Sequence, residues 1–540
     1  MKQAIERAAA AALTLLLIAL PLARATAQDA AMSPEELHRL RKEAARRTRR
    51  IIFDNDGNEP VYYCDKATAQ NLLEKRTLAL LGTQVDTMVY CTWSSGFSIF
   101  THNTKVGQVF ACTAEEPGKG PGSGFSKNKT QAFIDQGTDP LAIMTTFCRD
   151  NDIEIFWSMR MNDIHDAWGA WYSPFLFPEL KKAHPDWLLG SKEQRPKNGA
   201  FTAVDYSRPE IRDLAFRFFQ EVCQHYDVDG VELDFFRHLN YFPSVAQGNP
   251  ASTEELDMMT DLLRRIRRMT DDVGLKRGRP ILISVRVPDS EAFCKVMGFD
   301  ITRWMAEDLI DLMAVSGYFR LNPWETSVEL GHRYGVPVYP CLSETRIKDA
   351  ESRRTRSAVE CYRGRAMEAW DAGADGIYLF NFFNPNSPLW RELGARETLE
   401  PLDKVYTTAA RGLGNISFWY KGGERFANRS LLTPANPRTL EPGQTETITL
   451  CVGEDPSKTG AATLALRLRF QGIEAADDIA VTLNGAPLTN GVKMDAWIDY
   501  ALSPDQVQRG DNRVDLTLGP NRKASLVTDD LLLWVRHGQQ

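Results

Sequence analysis

The sequence predicts an α/β fold, a (β/α)8 TIM barrel followed by a C-terminal antiparallel β-sandwich, and three observations predict it. Eight strand-like runs, at residues 50–54, 86–92, 153–159, 229–234, 281–286, 310–316, 336–341 and 375–380, alternate with helix-like segments. Eight is the number of parallel strands that closes a barrel. The intervening segments carry apolar residues at helical spacing, as an outer ring of helices requires. Beyond Gly412 the apolar period changes from 3.6 to 2, the mark of half-buried antiparallel strands.

Taken in order, residues 1–27 read as an export signal. Lys2 and Arg7 precede the apolar run 8–22, and Ala25-Thr26-Ala27 offers a small-residue cleavage site. The expected location is therefore secreted or periplasmic, with no membrane span once the signal is removed. Residues 28–49 form a polar, helical lead-in expected on the outside of the next domain. The barrel is expected over 50–412. Within it, Ser207 with Glu210 and Ser252 with Glu255 have capping-box spacing. Ile211, Leu214, Phe218 and Val222 then share one helix face, as do Leu256, Met259, Leu263 and Ile266. A third helix carries Val359, Tyr362, Ala366 and Trp370 and ends at Gly373. The segments 93–127 and 161–199, after strands two and three, are long, rich in Gly, Pro and aromatics, and placed to build a substrate cleft. Residues 413–540 alternate as Ile448, Leu450, Val452, then Leu464 to Phe470, Ile479 to Leu483, Val514 to Leu518 and Leu531 to Val535, with Asn484-Gly485 as a hairpin turn. Sugar binding and support of the barrel are both open roles for such a sandwich.

Composition narrows the function. With 43% hydrophobic and 25% charged residues, the chain is that of an ordinary folded protein. A net charge of -7 argues against a nucleic-acid partner. Nine cysteines without a CxxC pair imply neither a disulfide framework nor a zinc site. HExxH, GxSxG, P-loop and strand-following GxGxxG patterns are absent, so no obligatory cofactor or metal is implied. Asp54-Asn55-Asp56-Gly57-Asn58 resembles the opening of a calcium loop but lacks the sixth-position glycine and the closing glutamate, and reads better as a strand-end turn.

The chemistry points to strand four, Asp229-Gly230-Val231-Glu232-Leu233-Asp234. Alternate residues share a face, so Glu232 and Asp234 point into the barrel while Val231 and Leu233 point to the helices. Two buried acids are costly unless used or paired. The alternative to catalysis is a structural ion pair with Arg237 or Arg286. Glu344, past strand seven, is the candidate partner acid from another strand, unless it caps the next helix. Glu232, Asp234 and Glu344 are thus the candidate catalytic residues for glycosidic hydrolysis, which needs two carboxyl groups. Other strand ends supply candidate binding groups: Asp54, Asp56, Trp93, Arg160, Asn162, His165, Asp166, Arg237, Arg286, Tyr318 and Asn381. Polar groups interleaved with aromatics suit a carbohydrate, and three arginines suit an anionic one. Two other classes stay open: a carbohydrate-binding protein without catalysis, and a metal-dependent hydrolase or lyase using Asp54, Asp56, Glu232 and Asp234.

The segment from Asp229 to Arg237, with Arg160-Met161-Asn162-Asp163 and the strand-eight region from Trp370 to Asn381, resembles the family-10-like barrel group of hypothetical glycoside hydrolases. The group's Asp-Gly-x-x-x-Asp-aromatic-x-Arg pattern is matched by Asp229, Gly230, Asp234, Phe235 and Arg237. The resemblance covers about residues 50–412 and implies a sugar-cleaving barrel with the strand-four acid central. Glu232 on the same face departs from the commoner pattern.

Overall fold

The barrel is built from eight short parallel strands, each buried along its length: β1 (Ile51–Asn55), β2 (Val85–Tyr90), β3 (Glu154–Arg160), β4 (Gly230–Asp234), β5 (Leu282–Val287), β6 (Leu312–Val315), β7 (Val338–Ser343) and β8 (Ile377–Phe380). They close in sequence order, β8 pairing with β1 through Ile51, Ile52 and Phe53 against Ile377, Tyr378 and Leu379. All eight expected strands are present. The computed structural model describes residues 32–414, 416–520, 522 and 524–538, so the expected export signal at 1–27 lies outside the described residues. Among them no helix is long and apolar enough to cross a membrane.

Inside the barrel Ile52, Val89, Phe156, Leu282, Leu312, Tyr339 and Tyr378 pack as one buried layer. The lead-in helix α1 (Pro34–Ala45) is capped by Ser33, whose hydroxyl accepts the Glu36 N–H at 3.1 Å. It does more than lie outside the barrel. Ala45 joins the interior layer, and Arg49, fully buried, bonds the Ala44 and Ala45 carbonyls and the Glu154 carboxylate at the start of β3. The helix therefore plugs the N-terminal end of the barrel.

Helices α2 (Pro140–Asp150), α3 (Pro209–His225), α4 (Thr253–Arg277), α5 (Trp324–Arg333) and α6 (Val359–Asp371) belong to the outer ring. The Ser252 capping box forms, with the Glu255 N–H on Ser252 Oγ and the Ser252 N–H on the Glu255 carboxylate. The box expected at Ser207 does not. The Ser207 N–H is drawn to Asp205 Oδ1 at 2.8 Å, and the helix starts two residues later on Pro209, whose fixed φ suits the first turn.

The C-terminal domain has two antiparallel sheets. The larger runs β9 (Lys404–Thr407), β18 (Leu526–Arg536), β12 (Thr463–Gln471), β16 (Trp497–Leu502), β15 (Val492–Met494), with β10 (Arg438–Leu440) also on β18. The smaller runs β11 (Thr445–Val452), β17 (Gly510–Leu518), β13 (Ile479–Leu483), β14 (Ala486–Leu488). Asn484 and Gly485, with φ of 51° and 84°, make the expected two-residue hairpin turn. Strand β9 lies before the boundary expected at Gly412, so the larger sheet begins in the segment that leaves the barrel. It sits on α6, where a Cβ on Gly364 would come 2.4 Å from the Val405 carbonyl oxygen and one on Gly453 would meet the Met367 backbone at 2.4 Å. A bidentate pair between Arg356 and Asp530 (2.9 and 2.7 Å), both fully buried, locks the two domains together.

Candidate active site at the barrel mouth

Strand β4 can lie flat on β3 because position 230 is glycine; a Cβ there would strike the Phe156 ring at 2.2 Å. From Gly230 the alternation sends Glu232 and Asp234 inward. Their register neighbours define two tiers, Ser158–Glu232–Ser284 and, one pleat nearer the C-terminal end, Arg160–Asp234–Arg286.

The lower tier is neutral. Glu232 has no solvent exposure and accepts hydrogen bonds from Ser158 Oγ (2.9 Å), Tyr378 Oη (3.0 Å) and Ser284 Oγ (3.3 Å). Burial pushes its carboxyl up to about 8, against the pull of Arg286 and helped by Asp54 and Asp234. That shift favours the neutral carboxylic acid.

The middle tier is an ion cluster. Arg286 donates through Nε to Asp234 Oδ1 (3.0 Å), through Nη2 to Asp234 Oδ2, and through Nη1 to Asp54 Oδ2 (3.0 Å), while its guanidinium lies 4.0 Å above the Phe380 ring. The Arg237 backbone N–H also donates to Asp234, at 3.0 Å. The structural ion pair that the sequence allows is therefore present, with Arg286 as the partner. Asp54 sits in the same cluster but is pushed up to about 6, by burial first and then by Asp56 and Asp234, with Arg286 opposing.

The upper tier reaches solvent. Asp56 accepts from Arg160 Nη2 at 2.5 Å and lies 3.6 Å from Arg237 Nη1. Burial works against its charge, yet Arg160, Arg237 and Arg76 together hold its carboxyl down at about 2. Arg237 Nη1 donates to Asn381 Oδ1 (3.4 Å), and Asn381 Nδ2 to Glu344 Oε1 (3.3 Å), which also takes Arg346 Nε (2.8 Å) and Arg411 Nη2 (2.9 Å). Glu344 does not cap the following helix; Asp349 does, accepting from the Ser352 N–H. Backbone strain gathers at this rim. Thr92, Trp93, Ser316 and Asn381, at the ends of β2, β6 and β8, all have φ between 42° and 74°, where residues with a side chain sit only when the surroundings hold them.

Above the tiers opens a cleft of about 910 Å³. Its walls come from the segment after β3 (His165, Trp168, Tyr172), the rim (Arg237, His238, Tyr318), the segment after β7 (Arg346, Lys348, Asp349) and the sandwich (Asn436, Arg469, Asp529). Arg469 ties the last two together, donating to Asp529 (2.6 Å) and Asp349 (3.1 Å). The sandwich is thus a wall of the site.

Of the residues expected from the sequence, Asp54, Asp56, Arg160, Asp234, Arg237, Arg286, Glu344 and Asn381 meet in the connected network just described, Glu232 lies beneath it bonded to Ser158, Tyr378 and Ser284, and Tyr318 and His165 line the cleft. Three stand apart. Trp93 is buried among Phe110, Phe125 and Tyr62, with its ring 4.3 Å from that of Phe110. Asn162 spends its amide on the Val204 and Asn240 backbone. Asp166 holds the buried Lys181 at 2.6 Å and braces the loop after β3. Sequence reasoning missed Trp168, Arg346, Lys348, Arg411, Arg469 and Phe418. Only Trp168, in the aromatic run with Trp171 and Tyr172, carried a signal: it is 48% exposed, with Phe418 5.7 Å away.

Two sets of residues bear on metal binding. Asp54, Asp56 and Asp234 already have guanidinium groups where a cation would sit, so that foursome does not fit an ion. Asp163, His165 and His238 each offer a ligand atom within 4.8 Å of the others. The two Nδ1 atoms and the carboxylate are already engaged within the protein: His165 Nδ1 bonds Asp163 Oδ2 at 2.8 Å, the Gly96 N–H donates to Asp163 Oδ1 at 2.6 Å, and His238 Nδ1 accepts the Ile164 N–H at 3.2 Å. The trio holds the loop after β3 against the barrel rim.

The chain is thus a closed (β/α)8 barrel with a charged cleft at the C-terminal ends of its strands and a sandwich as one wall. No family model matches it, and no curated protein matches it. Solved structures that it resembles include α-L-fucosidase isoenzyme 2 from Paenibacillus thiaminolyticus, at 12% identity over 65% of this chain and 49% of that one, with a TM-score of 0.39. Another is the GH36 α-galactosidase AgaB from Geobacillus stearothermophilus, at 11% identity over 93% and 59%, TM-score 0.35. A third is a glycoside hydrolase family 18 N-acetylglucosaminidase from Paenibacillus barengoltzii, at 13% identity over 64% and 99%, TM-score 0.35. The chain spans about half the length of the fucosidase. The barrel assignment rests on this chain's own strand order.

Proposed function

We propose that this chain is an exported glycoside hydrolase, secreted or periplasmic after removal of residues 1–27, acting at the barrel mouth on an oligo- or polysaccharide. One observation carries the reading: two aspartates at the end of β1 sit in environments that push their carboxyls apart, Asp54 up to about 6, where burial outweighs its contact with Arg286, and Asp56 down to about 2, between Arg160 and Arg237. Glycosidic hydrolysis requires one carboxyl that gives a proton to the leaving oxygen and one that stays ionised to attack the sugar or activate water. Asp54 is the proton donor in this assignment and Asp56 the carboxylate. Asp234 is a positioning residue, since it fixes the Arg286 guanidinium that touches Asp54. Glu232, neutral beneath them, adds no charge to the cluster. Glu344 orients Arg346, Arg411 and Asn381 at the rim. The strand-four resemblance to the family-10-like group supports the same reaction class.

The test is release of reducing sugar from a panel of polysaccharides by the mature chain beside Asp54→Asn, Asp56→Asn and Glu344→Gln. The assignment expects Asp56→Asn to lower kcat by about 10²–10⁴-fold with circular dichroism unchanged, and Asp54→Asn to act similarly. If Glu344→Gln alone removes activity, the acid lies on β7. If no glycan is cleaved, the second reading takes over, a cleft that binds carbohydrate without turnover; the exposed Trp168 ring beside Phe418 favours it as a stacking surface.

A further inference from the structure

Where the sequence placed three candidate anion-binding arginines, the structure removes two. Arg286 is spent on Asp234 and Asp54, and Arg160 on Asp56 and Ser95. Arg237 is different. It is 7% exposed and lines the cleft, and its buried Nε has no hydrogen-bond partner. A guanidinium N–H buried without an acceptor is costly, so Arg237 is held at the cleft wall with bonding capacity unspent.

Two more guanidinium groups converge on the same place. Arg237, Arg346 and Arg411 lie 5.7, 5.1 and 5.0 Å from the centre of the Tyr318 ring. Arg346 and Arg411 share a single carboxylate oxygen, Glu344 Oε1. Lys348, exposed on the same wall, has no ion-pair or hydrogen-bond partner among the described residues. Four cations therefore face two carboxylates, Glu344 and Asp56, on the barrel side of the cleft. The excess is felt locally: burial first, and Arg346 next to it, bring Arg411 down to about 10 in spite of Glu344. Across the cleft the sign reverses, because Arg469 stands against both Asp349 and Asp529, and Glu424 also lines the cleft. The whole chain carries -7, so bulk attraction of polyanions is not expected; the attraction is confined to this wall.

We propose that the cleft binds a carbohydrate carrying carboxylate or sulfate groups, with one anionic group seated over Tyr318 among Arg237, Arg346 and Arg411. The proposal rests on the carbohydrate reading of the site, and it names the substrate class that reading leaves open. Guanidinium forks bind either anion in two-point fashion, so the two sources are separated by experiment.

The test is isothermal titration of the mature full-length chain with polygalacturonate, highly methyl-esterified pectin, dextran sulfate and dextran. The expected result is binding of polygalacturonate or dextran sulfate without binding of its neutral counterpart, weakening as salt is added. The polymer that binds names carboxylate or sulfate. Arg346→Gln with Lys348→Gln, both exposed, is expected to weaken binding about tenfold without changing the circular dichroism spectrum. Arg237→Lys keeps the charge but removes the fork, and is expected to weaken binding as well. Equal binding of charged and neutral polymers, no binding of either anionic polymer, or affinity unchanged in the variants would overturn the proposal. Cleavage of a neutral glycan by a chain that ignores both polyanions sinks this proposal and keeps the glycosidase reading. Binding of a polyanion with no cleavage of any glycan does the reverse.

Discussion

Replacing Glu232 with glutamine isolates the protonation state of the deepest acid in the barrel. The amide keeps the shape of the side chain: its oxygen can accept from Ser158 and Tyr378 and its NH2 can donate to Ser284 Oγ, but it cannot ionise. In the wild type the folded-state carboxyl is pushed from 4.5 up to about 8, burial being the main cause. A carboxyl shifted upward contributes stability that is complete below its unfolded value and is lost as pH rises toward its folded value. Between those limits the unfolded chain has released the proton and the folded chain has not, so wild-type stability falls by about 1.4 kcal/mol per pH unit. The glutamine variant lacks that slope, while every other titrating group is common to both proteins. The difference in unfolding free energy, wild type minus variant, should therefore shrink by about 3 kcal/mol between pH 5.5 and 7.5. Urea unfolding followed by tryptophan fluorescence, with both proteins measured at each half unit of pH, reads this directly. A difference that stays constant across the range would mean that Glu232 is ionised when folded, and the neutral lower tier would be wrong.

Other consequences follow from the same geometry. Activity should show a bell-shaped pH profile, rising as Asp56 ionises near 2 and falling as Asp54 loses its proton near 6; a kcat that climbs steadily through pH 8 would remove Asp54 as the donor. Arg356→Ala leaves Asp530 buried without its guanidinium and should cost about 3–5 kcal/mol, seen as an earlier thermal transition; an unchanged melting profile would show that the pair does not hold the sandwich to the barrel. Gly376→Ala would place a Cβ 1.9 Å from the Arg49 carbonyl oxygen beside the β8–β1 closure. It should destabilise by about 1–3 kcal/mol or more, and urea midpoints equal to wild type would contradict the register of that seam.

Periodicity made the fold legible. The eight barrel strands are short apolar runs bounded by polar turns, and the sandwich strands alternate strictly, so each could be placed without knowing its neighbours. Strand β9, four residues long and fully buried, has no alternation to read and is indistinguishable in sequence from the end of the barrel. The site was legible only along the chain. Alternation along β4 was enough to aim Glu232 and Asp234 inward, but nothing local says that Arg286 on β5 will take both Asp234 and Asp54, since that depends on β1 and β5 facing each other across the closed sheet. Arg411 and Arg469 lie outside any barrel strand and enter the cleft only because the sandwich folds back over the rim. Trp93 shows the converse error: a tryptophan at a strand end looks like a sugar platform until Phe110 and Phe125, from the loop beyond it, cover its ring.

The two ends of the barrel separate structural charge from functional charge. At the bottom, Arg49 is buried and its donors are fully used: Nε and Nη2 on Glu154, Nη1 on the Ala45 and Arg47 carbonyls, Nη2 also on the Ala44 carbonyl. Thr87 completes the Glu154 carboxylate. That is a closed network whose work is to seat α1. At the mouth the chain of contacts runs from Asp54 through Arg286 to Asp234, and from Asp56 through Arg237 and Asn381 to Glu344, and it ends with open atoms: Arg237 Nε and Glu344 Oε2 are buried without hydrogen-bond partners. Desolvated ion pairs of this kind seldom stabilise a fold better than apolar side chains of equal volume would, and unfilled donors and acceptors make the balance worse. Open atoms also occur away from the mouth, at Arg41 Nε, Arg267 Nε and Asp311 Oδ1 beside α1, so it is the convergence of three guanidinium groups on Tyr318 that sets the mouth apart. A ligand seated over Tyr318 meets the guanidinium groups of Arg237, Arg346 and Arg411 together, and a hydroxyl-bearing sugar with an acidic substituent supplies the acceptors that such forks take in pairs.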